Sequence, residues 1–395
     1  MSIFSVKKHL FHNTLYATFN VTFIAIIITP FLRSNNMDAV QLSSLQTTQQ
    51  LAWFGFLFIS GVFFDLFGPK MTFLIGRLIE LVSILLLLKP NFYNFILSMI
   101  LLGAGRGITY GKYTSYIYNT LSLAGRLDVY PRVASAYYLV WDIAFSAMSF
   151  ISSLVLKNHG YEVIIYMSAT IKILAIIAVI LLVPSNKNSG MDSFKSASVK
   201  EIISSATECA KKNSAFMYLM IFYGVANFFT YPLCMTIADM ILLDKGWNAA
   251  DIAKYMTFIS TVMAIGTIIP IVFYPQGISI RKCVFLSILQ IIALLISSIF
   301  YETISFIIIA GFICATFSLV EVSVERRFEE FSNKKIRGSA MSASIAIGTL
   351  LTAINVMLIG YFAKYFSYHV GLVVIVVQML ISLLFLFAKL KHLTK

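Results

Sequence analysis

Charge is scarce in this sequence. Only 12% of its 395 residues are Asp, Glu, Lys or Arg, against about 25% in an ordinary soluble domain. That scarcity excludes a solvated surface for most of the chain. Cysteine is sparse as well. Cys209, Cys234, Cys283 and Cys314 are scattered, with no C-x-x-C pair, and imply neither a disulfide framework nor a zinc site. Catalytic signatures are missing: there is no H-E-x-x-H, no Walker loop and no G-x-S-x-G. No histidine falls deep in an apolar run. Hydrolysis, ATP use and haem chemistry therefore lack residues to carry them, and the sequence predicts neither an enzyme nor a cofactor.

What is present is hydrophobic. Hydrophobic residues make up 59% of the chain, in recurring runs of roughly 20, each long enough to cross a ~30 Å hydrocarbon core. The runs are continuous rather than alternating, which favours helices over a barrel. They predict an all-α membrane protein with twelve transmembrane helices: 10–32, 45–64, 71–88, 94–118, 133–156, 162–183, 215–238, 251–273, 283–300, 304–327, 339–362 and 369–388. The net charge of +13 follows the same layout. With both termini in the cytoplasm, most basic residues gather on the inner side, so the charge encodes orientation and nucleic acid is not needed as a partner.

Residues 184–214 form the long polar segment, with six spans before it and six after. Val199, Ile202, Ile203 and Ala206 share one helical face there, as in a helix lying on the inner membrane surface. The organisation predicted is two six-helix bundles, 1–183 and 215–395, joined by a cytoplasmic linker at 184–214. A carrier built from two repeats has this layout.

One junction stands out, "GVFFDLFGPK" at 61–70. Gly61 and Gly68 allow close approach and a tight turn, Asp65 sits at the membrane boundary, and Lys70 can reach the headgroups. An ordinary hairpin would also account for these residues. The spacing, however, resembles the G-x-x-x-D-R-x-G-R-K loop of the major facilitator superfamily, with Leu66 and Pro69 replacing two arginines. "GRGITYGKYTSYIYNTL" is similar to the fourth helix of that family, its membrane arginine matched by Arg106. "KKIRGSAMSASIAIG" and "LLDKGWNAADIAKY" resemble the approach to its eleventh helix and its outer loop before the eighth. The G-x-x-x-G-P motif of drug–proton antiporters is absent from "YYLVWDIAFSAMSFISSLVL". The resemblance implies two rocking bundles around a midplane site, with Gly61, Asp65, Gly68 and Lys70 as a gating loop working against the inner end of the eleventh span.

Polar side chains inside the spans indicate the site, because an ionised group at mid-membrane costs about 2.5–3.5 kcal/mol on insertion scales. Arg106 and Tyr110 share a face of the fourth span. Arg106 either meets an anionic group in a wet cavity or holds the first bundle together. In the fifth span Ser135, Tyr138, Asp142, Ser146, Ser149 and Ser153 follow one helical line. They predict a cavity wall centred on Asp142, with Arg106 as candidate partner. In the tenth, Glu321 lies a turn deeper than Glu325. Asp142 and Glu321 are the candidate proton-coupling acids, with a fixed salt bridge as the alternative for Asp142. Asn20 in the first span, and Asn227 and Tyr231 in the seventh, complete the predicted cavity. Arg77 and Glu80 are spaced to neutralise each other, and Lys172 suits snorkelling or an inter-helix pairing.

The reading from sequence is a secondary carrier for a small polar, charged or amphipathic solute. It works by alternating access, is coupled to protons or another ion, and leans slightly to export. A non-transporting receptor or scaffold on the same fold is the alternative. The Ile, Lys, Asn and Phe bias suits a bacterial inner membrane, and a monomer is expected.

Overall fold

The structure, a computed structural model, describes residues 15–16, 18–110, 112–123, 125–126, 130–183, 214–226, 233–273, 278–300, 303–331 and 337–391. Asn227, Tyr231 and nearly all of the 184–214 linker lie outside these residues. So does the side chain of Asp65.

Every regular element among the described residues is helical. They are α1 (Phe23–Ile26), α2 (Ile28–Ser34), α3 (Ala39–Leu86), α4 (Phe92–Thr109), α5 (Lys112–Leu123), α6 (Tyr130–Leu182) and α7 (Ser214–Ala226). A π-helical turn at Leu233–Ile237 leads into α8 (Ala238–Asp244), followed by α9 (Ala249–Val272), α10 (Ile280–Phe300), α11 (Thr303–Phe331), α12 (Arg337–Tyr365) and α13 (Tyr368–Lys391). Seven helices among the described residues are long and apolar enough to cross a membrane; one of them, Arg132–Leu181, is 50 residues long.

The two longest helices cannot be straight crossings. At 1.5 Å per residue, α6 would run about 80 Å, well beyond a bilayer of about 45 Å. Each breaks at one glycine in a conformation that Cβ disfavours: Gly68 (φ 72°, ψ 174°) in α3 and Gly160 (φ 75°, ψ −172°) in α6. Pro69 strengthens the first break, since it restricts the residue before it and suits the first turn of the returning helix. The packing shows that the chain doubles back. Gly103 of α4 abuts the Gln49 backbone, while Gly105, two residues on, abuts Gly76 and Glu80. Both arms of α3 therefore flank α4. Asn20 likewise meets Tyr137 and Lys172, which lie on opposite sides of Gly160.

Side-chain caps start α3, α4 and α9. Asp38 and Gln41 form a reciprocal capping box, and Asn91 and Asn248 accept from the backbone N–H groups of Asn94 and Asp251. These caps satisfy N–H groups that helix geometry leaves open. Arg33, Asp38, Asp244, Lys364 and Tyr368 share a small cavity there, and Phe31 packs on Phe95 and Tyr161. The turns near Asp38, Asn91, Gly160 and Asn248 thus cluster at one end, called the Asp38 end.

At that end α3 and α12 close together. A Cβ on Gly360 would collide with Ser43, and Thr47 donates to the Ala353 carbonyl at 3.2 Å. A second seam joins α6 to α9, where the Ser146 and Thr261 hydroxyls lie 2.7 Å apart. The exterior is apolar, with Ile304, Ile308, Phe285 and Leu181 exposed, while Arg77, Glu80, Lys172, Asp142 and Asp239 are buried. Such an inverted distribution fits a chain whose solvent is lipid.

Three predicted boundaries need correction. The first span is not one helix: Thr22 is extended (φ −136°, ψ 146°) and Ile27 departs from helical geometry (φ −124°, ψ 21°). The fourth is interrupted at Tyr110 (φ −66°, ψ 138°). The seventh does not stop at 238 but continues as α8 to Asp244, which brings Asp239 inside.

Candidate functional site

The helices enclose a cavity of about 290 Å³. Six acidic or basic side chains among the described residues lie on or just behind its wall, each at most 6% exposed: Arg77, Glu80, Lys172, Asp142, Asp239 and Glu321. Buried charges persist only where partners compensate them, so their partners define the site.

The first group forms around the break in the first span. Arg77 Nη1 donates to both Glu80 oxygens at 2.8 and 2.7 Å, and its Nη2 donates to the Tyr16 hydroxyl at 2.7 Å. Lys172 Nζ reaches Glu80 Oε2 at 2.6 Å and also donates to the Asn20 carbonyl at 3.1 Å. One turn earlier on α6, Ser168 accepts from the Ile24 N–H at 2.8 Å. Unwinding between Asn20 and Phe23 frees backbone donors and acceptors, which in a membrane must find partners. Lys172 and Ser168 supply one of each. Lys172 is thus the inter-helix partner that its position suggested, with a task that its own span does not reveal. Tyr16, Tyr113 and Tyr137 stack beside this group, with centroids 4.2 and 4.8 Å apart.

The second group crosses to α9. Thr267 donates to Asp142 Oδ2 at 2.8 Å, and Ser146, one turn along, meets Thr261. The serine line of α6 is therefore only partly a cavity wall. Tyr138 and Asp142 line the space, Ser146 belongs to the α6–α9 seam, and Ser149 and Ser153 bond back to their own helix. The partner found for Asp142 is Thr267 rather than Arg106.

The third group was not foreseen. Asp239 lines the cavity; its carboxyl lies beside Thr29, which accepts from Gln46 Nε2 at 3.3 Å. Its Oδ1 has no partner. A carboxylate inside "MTIADMILL" was the available signal, hidden by ending the span at 238, just short of Asp239.

The remaining predicted residues divide by place. Asn20, Arg106, Tyr110 and Glu321 line the cavity, and Tyr110 sits edge-on to Trp53 at 5.1 Å. Gln46, Gln49, Gln50 and Trp141 join them. Gly61, Asp65, Gly68 and Lys70 belong to α3. Lys70 donates to the Ile180 carbonyl at 2.7 Å, near the C-terminus of α6, where a cation suits the helix dipole.

The family model described as Major Facilitator Superfamily matches residues 10–320. The chain belongs to this superfamily. No curated protein sequence matches it. Among solved structures, the nucleoside transporter NupG is similar at 13% identity and a TM-score of 0.69, covering 98% of this chain and 99% of its own. A POT family transporter in complex with 5-aminolevulinic acid matches at 12% identity and 0.72, over 98% and 96%. The human organic anion transporter MFSD10 (TETRAN) matches at 13% and 0.69, over 96% and 97%. At these identities the likeness is one of fold. The superfamily chain is accordingly a multi-pass membrane protein of a solute-transporting family.

Proposed function

We propose that this protein is a secondary active carrier in which bundles 1–183 and 215–395, linked by 184–214, rock about the central cavity. The observation that carries the reading is the Asp142–Thr267 hydrogen bond, which joins the two bundles at the cavity wall. An acid placed there senses both the cavity and the seam. Changing its protonation alters a contact between the moving parts, which is what coupling requires. Glu321, buried on the facing wall, is the second coupling acid.

The α3–α12 seam closes the cavity at the Asp38 end. With the termini in the cytoplasm of a bacterial inner membrane, the closed end is the outer one, and the cavity serves the inner side. The solute is small and polar, charged or amphipathic, because the lining combines tyrosines, tryptophans, amides and charged groups. Export is the favoured direction, and the monomer is the working unit.

The test is uptake and counterflow in proteoliposomes under an imposed pH gradient. Wild type, Asp142→Asn and Glu321→Gln are compared on nucleosides, 5-aminolevulinic acid and organic anions. Gradient-driven accumulation in wild type, lost in both variants while exchange persists, is expected. Accumulation that survives both changes would overturn the coupling assignment. No flux of any solute would favour the scaffold reading instead.

A further inference from the structure

Two observations bear on what the cavity holds. The first is its charge. Among the described residues, the cationic side chains on and behind the wall are Arg77, Arg106 and Lys172, and the acids are Glu80, Asp142, Asp239 and Glu321. They are three cations and four acids. The three cations all belong to α3, α4 and α6, and Glu80 already engages two of them. The opposite wall, from α8 and α11, contributes Asp239 and Glu321. A buried site of this kind favours an occupant that restores neutrality.

The second observation places that occupant. Asp239 Oδ1 is buried with no hydrogen-bond partner, while the same carboxyl lies beside Thr29, which accepts from Gln46. A carboxylate that lines a cavity and has an oxygen without a donor calls for one. Among the described residues no ion pair reaches it. On α2 the charged residue is Arg33, exposed and donating to the Met37 carbonyl; on α9, Asp251 and Lys254 pair with each other at 2.9 Å. Aromatic faces complete the setting: Trp53, Tyr138, Trp141 and Phe317 line the same space, and such faces attract cations.

We propose that Asp239 is the anchor for a singly charged cationic nitrogen, so that the solute class is an amine-bearing molecule with an apolar or aromatic body. This deepens the carrier reading and rests on the cavity being the solute site.

The test is equilibrium binding to the purified full chain in nanodiscs, using benzylamine, benzyl alcohol and benzoate as shape-matched cation, neutral and anion. Two of the chain's three tryptophans, Trp53 and Trp141, line the cavity, so quenching of their fluorescence is the readout. Saturable binding of benzylamine, about tenfold or more tighter than either congener, is expected for an ion pair made in a dry site. Asp239→Asn should remove that preference and leave benzyl alcohol binding unchanged; Asp251→Asn, in a surface pair, should behave as wild type. Equal affinity for the three probes, a preference for benzoate, or an amine preference that survives Asp239→Asn would overturn the proposal. If Asp239→Asn does not fold, the wild-type ranking alone decides. Failure of the carrier reading shows as absent flux and leaves this binding result unaffected, so the two are distinguishable.

Discussion

Lys172 Nζ donates to the Asn20 carbonyl at 3.1 Å while lying 2.6 Å from Glu80 Oε2. One ammonium thus holds a broken helix and a buried carboxylate together. Lys172→Met would leave Glu80 with a single cation and the Asn20 carbonyl without its donor. The expected loss is about 3–5 kcal/mol, as for removal of one partner from a buried ion pair. Thermal unfolding of the purified protein checks it, and Glu80→Gln in the same chain should add less than its separate cost, because the two share one network.

Glycine positions give a contrast that the sequence alone cannot. A Cβ on Gly266 would lie 2.1 Å from the Ala315 carbonyl oxygen and 2.8 Å from its Cα, backbone atoms that cannot swing aside. Gly266→Ala should destabilise by about 1–3 kcal/mol, the usual cost of overpacking. Gly55 has nothing within 4 Å of its Cβ position. Gly55→Ala should therefore stabilise by about 0.5–1 kcal/mol through helix propensity. Melting temperatures of the two variants, moving in opposite directions, check the pair.

The α6–α9 seam can be trapped. Ser146 Oγ and Thr261 Oγ1 lie 2.7 Å apart, so cysteines at both positions bring their sulfur atoms within reach of a disulfide. Oxidation of Ser146→Cys, Thr261→Cys should crosslink the two helices and stop flux; reduction should restore it. Each single variant, which retains the native cysteines, should be unaffected by oxidant.

The capping box offers a smaller, local effect. Asp38→Ala removes the acceptor that meets the Gln41 N–H at 2.7 Å. A loss of about 0.5–2 kcal/mol is expected, read as a modest drop in melting temperature with binding of any cavity ligand retained.

Much of this architecture was legible. The junctions at 65–70 and 157–161 are where the chain reverses, because Gly-Pro and Asn-His-Gly interrupt apolar runs. Arg106, Asp142 and Glu321 were traceable because charge in oil demands a sheltered place, and all three line the cavity. The break at Val21–Thr22 was not legible, since neither residue is a helix breaker. The groups that stabilise it, Lys172 and Ser168, lie some 150 residues away. Lys172 therefore looked anomalous in its own span. Asp239 was hidden by a boundary drawn from local hydropathy, and the Tyr110 break by an apolar run that reads as continuous.

The approach of α3 to α12 through Gly360, Ser43 and Thr47 has one more result. That latch is made of close van der Waals contact and a hydroxyl bond, so parting those two helices there strips no ion of its counter-ion. Salt should act on it only through Arg33, Asp38, Asp244 and Lys364, which share the cavity beside it. A doorway of this kind yields to the modest energy that a single small passenger supplies on docking, and it reseals without having to find a charged mate.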